Sequence, residues 1–238
     1  MRARWKIAGG VLASLALLAG VAVIALPRLY AWRAQDPEFF ADEIAAFAEQ
    51  DVATPPPDAP IVFVGSSSIR LWDTLGEDMA PLPVLNRGFG GSQLAHVTHY
   101  VDETIVKYLP RAVVLYAGDN DLDASTGKTA EDVARDFGTL VATIHAYAPG
   151  TRVYFLSIKP SQARWERWPE MKRANELVEK LCKGDPRLSY VDVATPLLED
   201  GKPREDVYQW DGLHLNEAGY REWTRVIRPL LCRDLGAC

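Results

Sequence analysis

Hydrophobic positions along the chain fall into three regimes. Residues 7–26, "IAGGVLASLALLAGVAVIAL", are apolar without interruption. At helical rise such a run covers roughly 30 Å, one hydrocarbon thickness, so it predicts a membrane-spanning helix. In "DPEFFADEIAAFAEQ" (36–50) the period becomes helical: Phe40, Ile44 and Phe47 share a face behind Asp36 as N-cap and Pro37 at the first helical position. The stiff segment "TPPPDAP" (54–60) ends that helix.

From Ile61 onward short apolar or β-branched runs alternate with helical stripes. The runs are "IVFVG" (61–65), "VLNRG" (84–88), "AVVLYAG" (112–118), "RVYFLSI" (152–158) and "LSYVDV" (188–193). Val133, Phe137, Leu140 and Ile144 recur at helical spacing behind a Thr129 cap and stop at Pro149-Gly150. Met171, Ala174, Leu177 and Leu181 form a second stripe, and Tyr220, Trp223, Ile227 and Leu230 a third behind Asn216. Five near-continuous apolar strands separated by helices predict an α/β fold with a parallel sheet covered on both faces. The chain thus divides into a membrane anchor (1–33), an amphipathic helix with a proline-rich linker (34–59) and a body (60–238).

Charge sharpens the first segment. Arg2, Arg4, Lys6, Arg28 and Arg33 precede the first acid, Asp36; setting them aside leaves 21 basic against 32 acidic residues, a body near −11 where the whole chain carries −6. Such a body argues against nucleic acid as partner and against docking on anionic lipid by charge. Three basic residues on the short N-terminal side keep that end in the cytoplasm, which predicts a single-pass protein with its body outside, periplasmic or extracellular. "PRLYAWR" follows the run where a cleaved signal would carry a small-x-small site, so a retained anchor is favoured over a signal peptide. Cys182, Cys232 and Cys238 match no zinc spacing; an exported body permits one disulfide and leaves one thiol, and the spacing does not choose the pair.

In open α/β sheets, ligands bind beyond the carboxyl ends of the strands. Ser66 to Ser68 follow the first strand, "FGGSQ" the second, "GDND" the third and a loop with "DGLH" the fifth. A serine nucleophile needs a base and a group to orient it. Only His214 of the four histidines has a carboxylate three positions earlier, Asp211, a spacing that lets the carboxylate meet Nδ1 and leaves Nε2 for a hydroxyl. Oxyanion donors are also required, and the backbone at the nucleophile, the Gly91 N–H and the Asn120 amide are candidates.

"GSSSI", "NRGFGG", "GDND" and "DGLH" stand in the order and approximate spacing of blocks I, II, III and V of the SGNH (GDSL-type) hydrolases, and from about Ile61 to Leu231 the chain resembles that family. "NRGFGG" and "DGLHLNEAGY" make it most similar to the platelet-activating-factor acetylhydrolase-like group. The resemblance implies a flavodoxin-like three-layer α/β/α sandwich with strand order 2-1-3-4-5. It also implies a Ser67 nucleophile, His214 as base, Asp211 as its partner, and an oxyanion hole of Ser67, Gly91 and Asn120. The resemblance implies no metal or organic cofactor, and it implies as substrate an acetyl or short acyl ester of a small molecule, carbohydrate or lipid. One departure stands out: the family has Asp before its nucleophile and this chain has Ser66. On sequence alone Ser66 and Ser68 therefore remain rival nucleophiles, and a catalytically silent binding module or a carbohydrate acyltransferase remain rival functions.

Other signals are weaker. "STGKT" (125–129) lacks the first glycine of a phosphate loop, and "DNDLDA" lacks the turn glycine and closing acid of a calcium loop. His96, His99 and Glu103 line one helix face on a helical wheel, which suits a solvated or packing role better than a metal site. No G-x-S-x-G elbow is present. Trp72, Phe89, Tyr116, Tyr208 and Trp210 fall near the strand exits, as core residues or as walls of a substrate pocket.

Overall fold

The computed structural model describes residues 35–236 and Cys238. The predicted membrane span, residues 7–26, lies outside them; among the described residues no helix is long and apolar enough to cross a membrane. Contacts divide the chain between Phe39 and Phe40. Before that division, Asp36 Oδ1 accepts the Glu38 N–H at 3.1 Å.

The 3-10 turn Pro37–Phe40 leads into helix α1 (Ala41–Ala53), so the expected single helix begins with a tighter turn. Then follow β1 (Ile61–Gly65), the one-turn helices α2 (Ser67–Arg70) and α3 (Leu75–Asp78), β2 (Val84–Gly88), α4 (Leu94–His99), α5 (Val101–Thr104) and β3 (Ala112–Tyr116). The remainder is α6 (Ala130–Tyr147), β4 (Arg152–Leu156), α7 (Trp168–Lys183), β5 (Leu188–Val191), a hairpin of β6 (Leu198–Glu199) and β7 (Lys202–Pro203), and α8 (Glu217–Leu235).

The sheet order is β2-β1-β3-β4-β5, with every neighbouring pair parallel. This is the order the resemblance implies. All five residues of β1 are buried, as are all five of β3, which is why these central strands read as unbroken apolar runs. Strands 3 to 5 end two residues earlier than their apolar runs suggest, because the backbone has already turned into the loops at the sheet's carboxyl edge.

Alternate strand residues face opposite layers. Ile61, Phe63, Val114, Tyr116, Tyr154 and Leu156 pack with Trp72, Trp223, Ile227 and Leu231, under α2, α3 and α8. On the other face Phe155 meets Phe137 of α6 with ring centroids 5.1 Å apart. Burying each such large side chain contributes roughly 1.5–3 kcal/mol.

Helix α6 buries the expected Val133, Phe137, Leu140 and Ile144, behind a reciprocal cap between Thr129 and Asp132. The α7 stripe shifts. Its buried seam is Met171, Ala174, Val178 and Cys182, while Leu181 is 43% exposed. Steps of three and of four both keep to one helix face, and here Asn175 decides between them by pairing with both backbone groups of Ile158, at 2.8 and 2.9 Å. In α8 the seam ends on Leu231 and leaves Leu230 partly buried.

Helix α1 packs on the β2 edge of the same compact unit. Arg87 of β2 pairs with Asp51 and lies over the Phe47 ring at 4.9 Å. Burial opposes ionisation of Asp51, but hydrogen bonds from Lys107 and Tyr108 and the Arg87 charge outweigh it and lower its pKa. Cys232 and Cys238 form the disulfide, closing the C-terminal end of α8, and Cys182 is a buried free thiol.

Candidate active site

Strand β1 ends on Gly65 at φ +127°, where a Cβ would stand 1.9 Å from the Tyr116 carbonyl oxygen; only glycine fits. The next residue, Ser66, donates its N–H to that oxygen at 2.9 Å and is wholly buried, and its Oγ makes no hydrogen bond. Ser68 is buried too, its carbonyl accepting from the Tyr220 hydroxyl at 3.0 Å. Ser67, the first residue of α2, is part-exposed, and its Oγ lies 3.0 Å from His214 Nε2. Among the three serines, Ser67 alone meets the imidazole.

His214 stands in a tightly tied loop. Gly212, at φ +61°, closes a turn with its N–H on the Gln209 carbonyl, and the Gln209 N–H returns to the His214 carbonyl at 2.8 Å. Asp211 Oδ1 accepts the Leu213 and His214 amides at 2.9 and 3.0 Å, while Oδ2 takes His214 Nδ1 at 2.6 Å. Burial resists charge on Asp211, but the Leu213 amide, the His214 ring and the His214 amide outweigh it and hold the carboxyl at about 2. An ionised carboxylate only accepts, so Nδ1 carries the proton and Nε2 presents a lone pair to the Ser67 hydroxyl.

Residues Phe89 to Ser92 turn tightly, the Ser92 N–H reaching the Phe89 carbonyl at 3.4 Å. Gly91 lies at φ +84°, the value of the third residue of a type II turn. Asn120 Nδ2 donates to the Ser92 carbonyl at 3.1 Å, and Asn120 Oδ1 accepts from Arg164 Nη2 at 2.9 Å. That second bond fixes which way the amide points, with its NH2 toward the glycine turn. The neighbouring Asp121 is buried and accepts from the Leu94 N–H and Lys128 Nζ, which ties the two loops together. Burial raises its pKa to about 6, in spite of Lys128. Lys128 is shared between Asp121 and Asp136, at 3.0 and 2.9 Å.

His96 points inward, accepting the Gln93 N–H at Nδ1 with its ring 4.9 Å from Phe40, whereas His99 packs on Tyr100. Among the described residues no cluster of His, Cys, Asp or Glu has the makings of a metal site. Trp72, Phe89, Tyr116 and Tyr208 are core residues. Trp210 is 97% exposed and borders a cleft of about 580 Å³ together with Gln162, Glu205, Gln209 and Asp211.

Three residues that reach these loops carried no sequence assignment. Arg164 and Lys159 follow β4, the one strand exit to which the motif reading gave nothing; the rule about carboxyl edges was the available signal. Glu43, on α1, had no such signal.

The class these features define is a doubly wound α/β/α sandwich with a hydroxyl, an imidazole and a carboxylate in line at its carboxyl edge. The chain belongs to the GDSL-like lipase/acylhydrolase family, whose model matches residues 56–222, and with it to the carboxylic ester hydrolases. A structure from Streptococcus pneumonia named for platelet activating factor is similar with a TM-score of 0.72 at 20% identity, covering 88% of this chain and 99% of that one. A GDSL-like lipase from Bacteroides thetaiotaomicron has a TM-score of 0.67 at 19% identity, covering 80% and 98%. An acetylxylan esterase from Geobacillus stearothermophilus, solved as a catalytic mutant, has a TM-score of 0.58 at 14% identity, covering 76% and 96%. At these identities the likeness is one of fold. No curated protein matches the chain.

Proposed function

We propose that the protein is a serine esterase that cleaves acetyl or short acyl esters through an acyl-enzyme. The observation that carries this reading is the continuous chain from Ser67 Oγ to His214 Nε2, 3.0 Å, and from His214 Nδ1 to Asp211 Oδ2, 2.6 Å. Ser67 Oγ attacks the ester carbonyl as His214 Nε2 takes its proton, and Asp211 stabilises the imidazolium. The Ser67 and Gly91 amides and the Asn120 NH2 receive the oxyanion. The C–O bond to the alcohol breaks, His214 returns the proton to the leaving oxygen, and the acyl group remains on Ser67. Water, deprotonated by His214, then attacks the acyl carbonyl, and release of the carboxylic acid restores the Ser67 hydroxyl.

Ser66 in place of an aspartate is compatible with this chemistry, because the turn is held by backbone: the Ser66 amide on Tyr116 and the Ser66 carbonyl accepting from Ile69 at 2.9 Å. The cleft beside Trp210, of mixed polar and apolar lining, suits the alcohol part of a carbohydrate ester better than an acyl chain, since an indole face stacks on a sugar ring while the surrounding glutamines and Glu205 bond its hydroxyls. We place the body outside the cytoplasm on a single N-terminal anchor, on the strength of the apolar run at 7–26 and the basic residues before it.

The decisive test is hydrolysis of a nitrophenyl acetate by wild type and by Ser67→Ala. Loss of turnover in the variant with an unchanged melting temperature supports the reading. Undiminished hydrolysis overturns it.

A further inference from the structure

Glu43 Oε2 accepts the Gly90 N–H at 2.9 Å. Glu43 lies on α1, which ends at Ala53, ahead of the segment 56–222 that matches the family model. We infer that Glu43 is a positioning residue for the oxyanion hole, and that α1, outside the matched domain, is a working part of the site. The inference rests on Gly91 being an oxyanion donor.

A Gly-Gly pair has the widest backbone freedom of any turn, so its direction must be set from outside. The Phe89 N–H is fixed on the Gly65 carbonyl at 2.9 Å, and the Phe89 ring sits between Phe40, 5.2 Å away, and Tyr100, 6.2 Å away. The far end of the turn is held where Asn120 bonds the Ser92 carbonyl. Between these points Glu43 bonds the Gly90 amide, and the Arg70 guanidinium closes the space over Gly90, where a Cβ would come within 2.8 Å of its Nε. A carboxylate acceptor makes a bond about twice as strong as a neutral one. Oxyanion donors act only when held within about 0.5 Å of their target. With the Glu43 carboxylate removed, Gly90 turns to water and the Gly91 N–H, one peptide on, loses its fixed aim. Helix α1 is itself held elsewhere, by Asp51 on Arg87 and by Phe47 beneath the same guanidinium. Its bond to the turn is thus separable from its bond to the sheet edge.

Three full-length variants test this. Glu43→Ala is expected to lower kcat about tenfold, a fraction of what losing an oxyanion donor costs, with KM within about twofold of wild type. Glu43→Gln keeps an oxygen acceptor and is expected to restore kcat. Asp51→Asn loosens α1 away from the turn and is expected to lower the melting temperature while leaving kcat unchanged. Hydrogen exchange at the Gly90 amide, faster in Glu43→Ala and slow in Glu43→Gln, reports the clamp whether or not the protein hydrolyses esters, so its outcome is independent of the Ser67→Ala test. A wild-type kcat in Glu43→Ala overturns the inference. So does a fall of kcat in Asp51→Asn that tracks its melting temperature as closely as in Glu43→Ala.

Discussion

Lys159 donates its ammonium to the Leu213 carbonyl at 2.7 Å, one residue ahead of His214, although its side chain is only 2% exposed. The His214 loop is thereby gripped at one residue from two sides, with Asp211 on the Leu213 amide and Lys159 on the Leu213 oxygen. A buried charge is costly unless it is paired and hydrogen-bonded. Tyr116 and Tyr208 turn ring faces toward it at 5.9 and 5.7 Å, and burial pushes its pKa down to about 8 against the pull of Asp119 and Asp211.

Replacing Lys159 with Met is expected to lower kcat about tenfold through misplacement of His214. Wild type is expected to lose activity as pH rises through about 8, where the ammonium is discharged, and the variant to lack that alkaline limb. Asp211, held at about 2, stays ionised throughout. Stability has the opposite slope: between about 8 and 10.5 the unfolded chain binds a proton the folded chain has shed, so the Lys159 contribution favours the fold as pH rises. kcat and melting temperature measured from pH 6 to about pH 10 check both statements.

Under the proposed mechanism Asn120 donates to the oxyanion and Arg164 orients the Asn120 amide. Asn120→Ala removes a donor and is expected to slow turnover by about 10²- to 10³-fold. Arg164→Ala leaves the donor but frees the amide to rotate, since Arg164 Nη2 is the partner of Asn120 Oδ1. Its expected loss in kcat is smaller, and the double variant should be no slower than Asn120→Ala alone. Additive losses would show that Arg164 works on something else.

The cysteines offer a chemical check on the fold. Cys182 lies on the buried face of α7, where burial raises its thiol to about 12. Iodoacetamide is expected to leave the native protein unlabelled and, after mild reduction, to label the two cysteines of the C-terminal bridge, with Cys182 labelled only on unfolding. Peptide mass spectrometry reads the three sites separately. Rapid native labelling of Cys182 would contradict its burial.

What the sequence determined by itself was what neighbours along the chain encode. Strand and helix periods placed the five sheet strands and the α6 seam, because a side chain's face follows from its position within one element. The short motif "DGLH" carried its own geometry, Asp211 and His214 being close enough for a single loop to join them. Tertiary structure decided what depends on residues far apart. "GSSSI" offers three hydroxyls at one strand exit; the family resemblance implied Ser67, and what sets it apart in space is His214, 147 positions later, which the sheet brings to the same edge. Lys159, Arg164 and Glu43 each act on backbone or an amide in another loop, and such contacts leave no periodic trace in the sequence. The α7 seam and the Cys232–Cys238 pairing were settled the same way, by which surface the folded sheet presented and which chain end lay within reach.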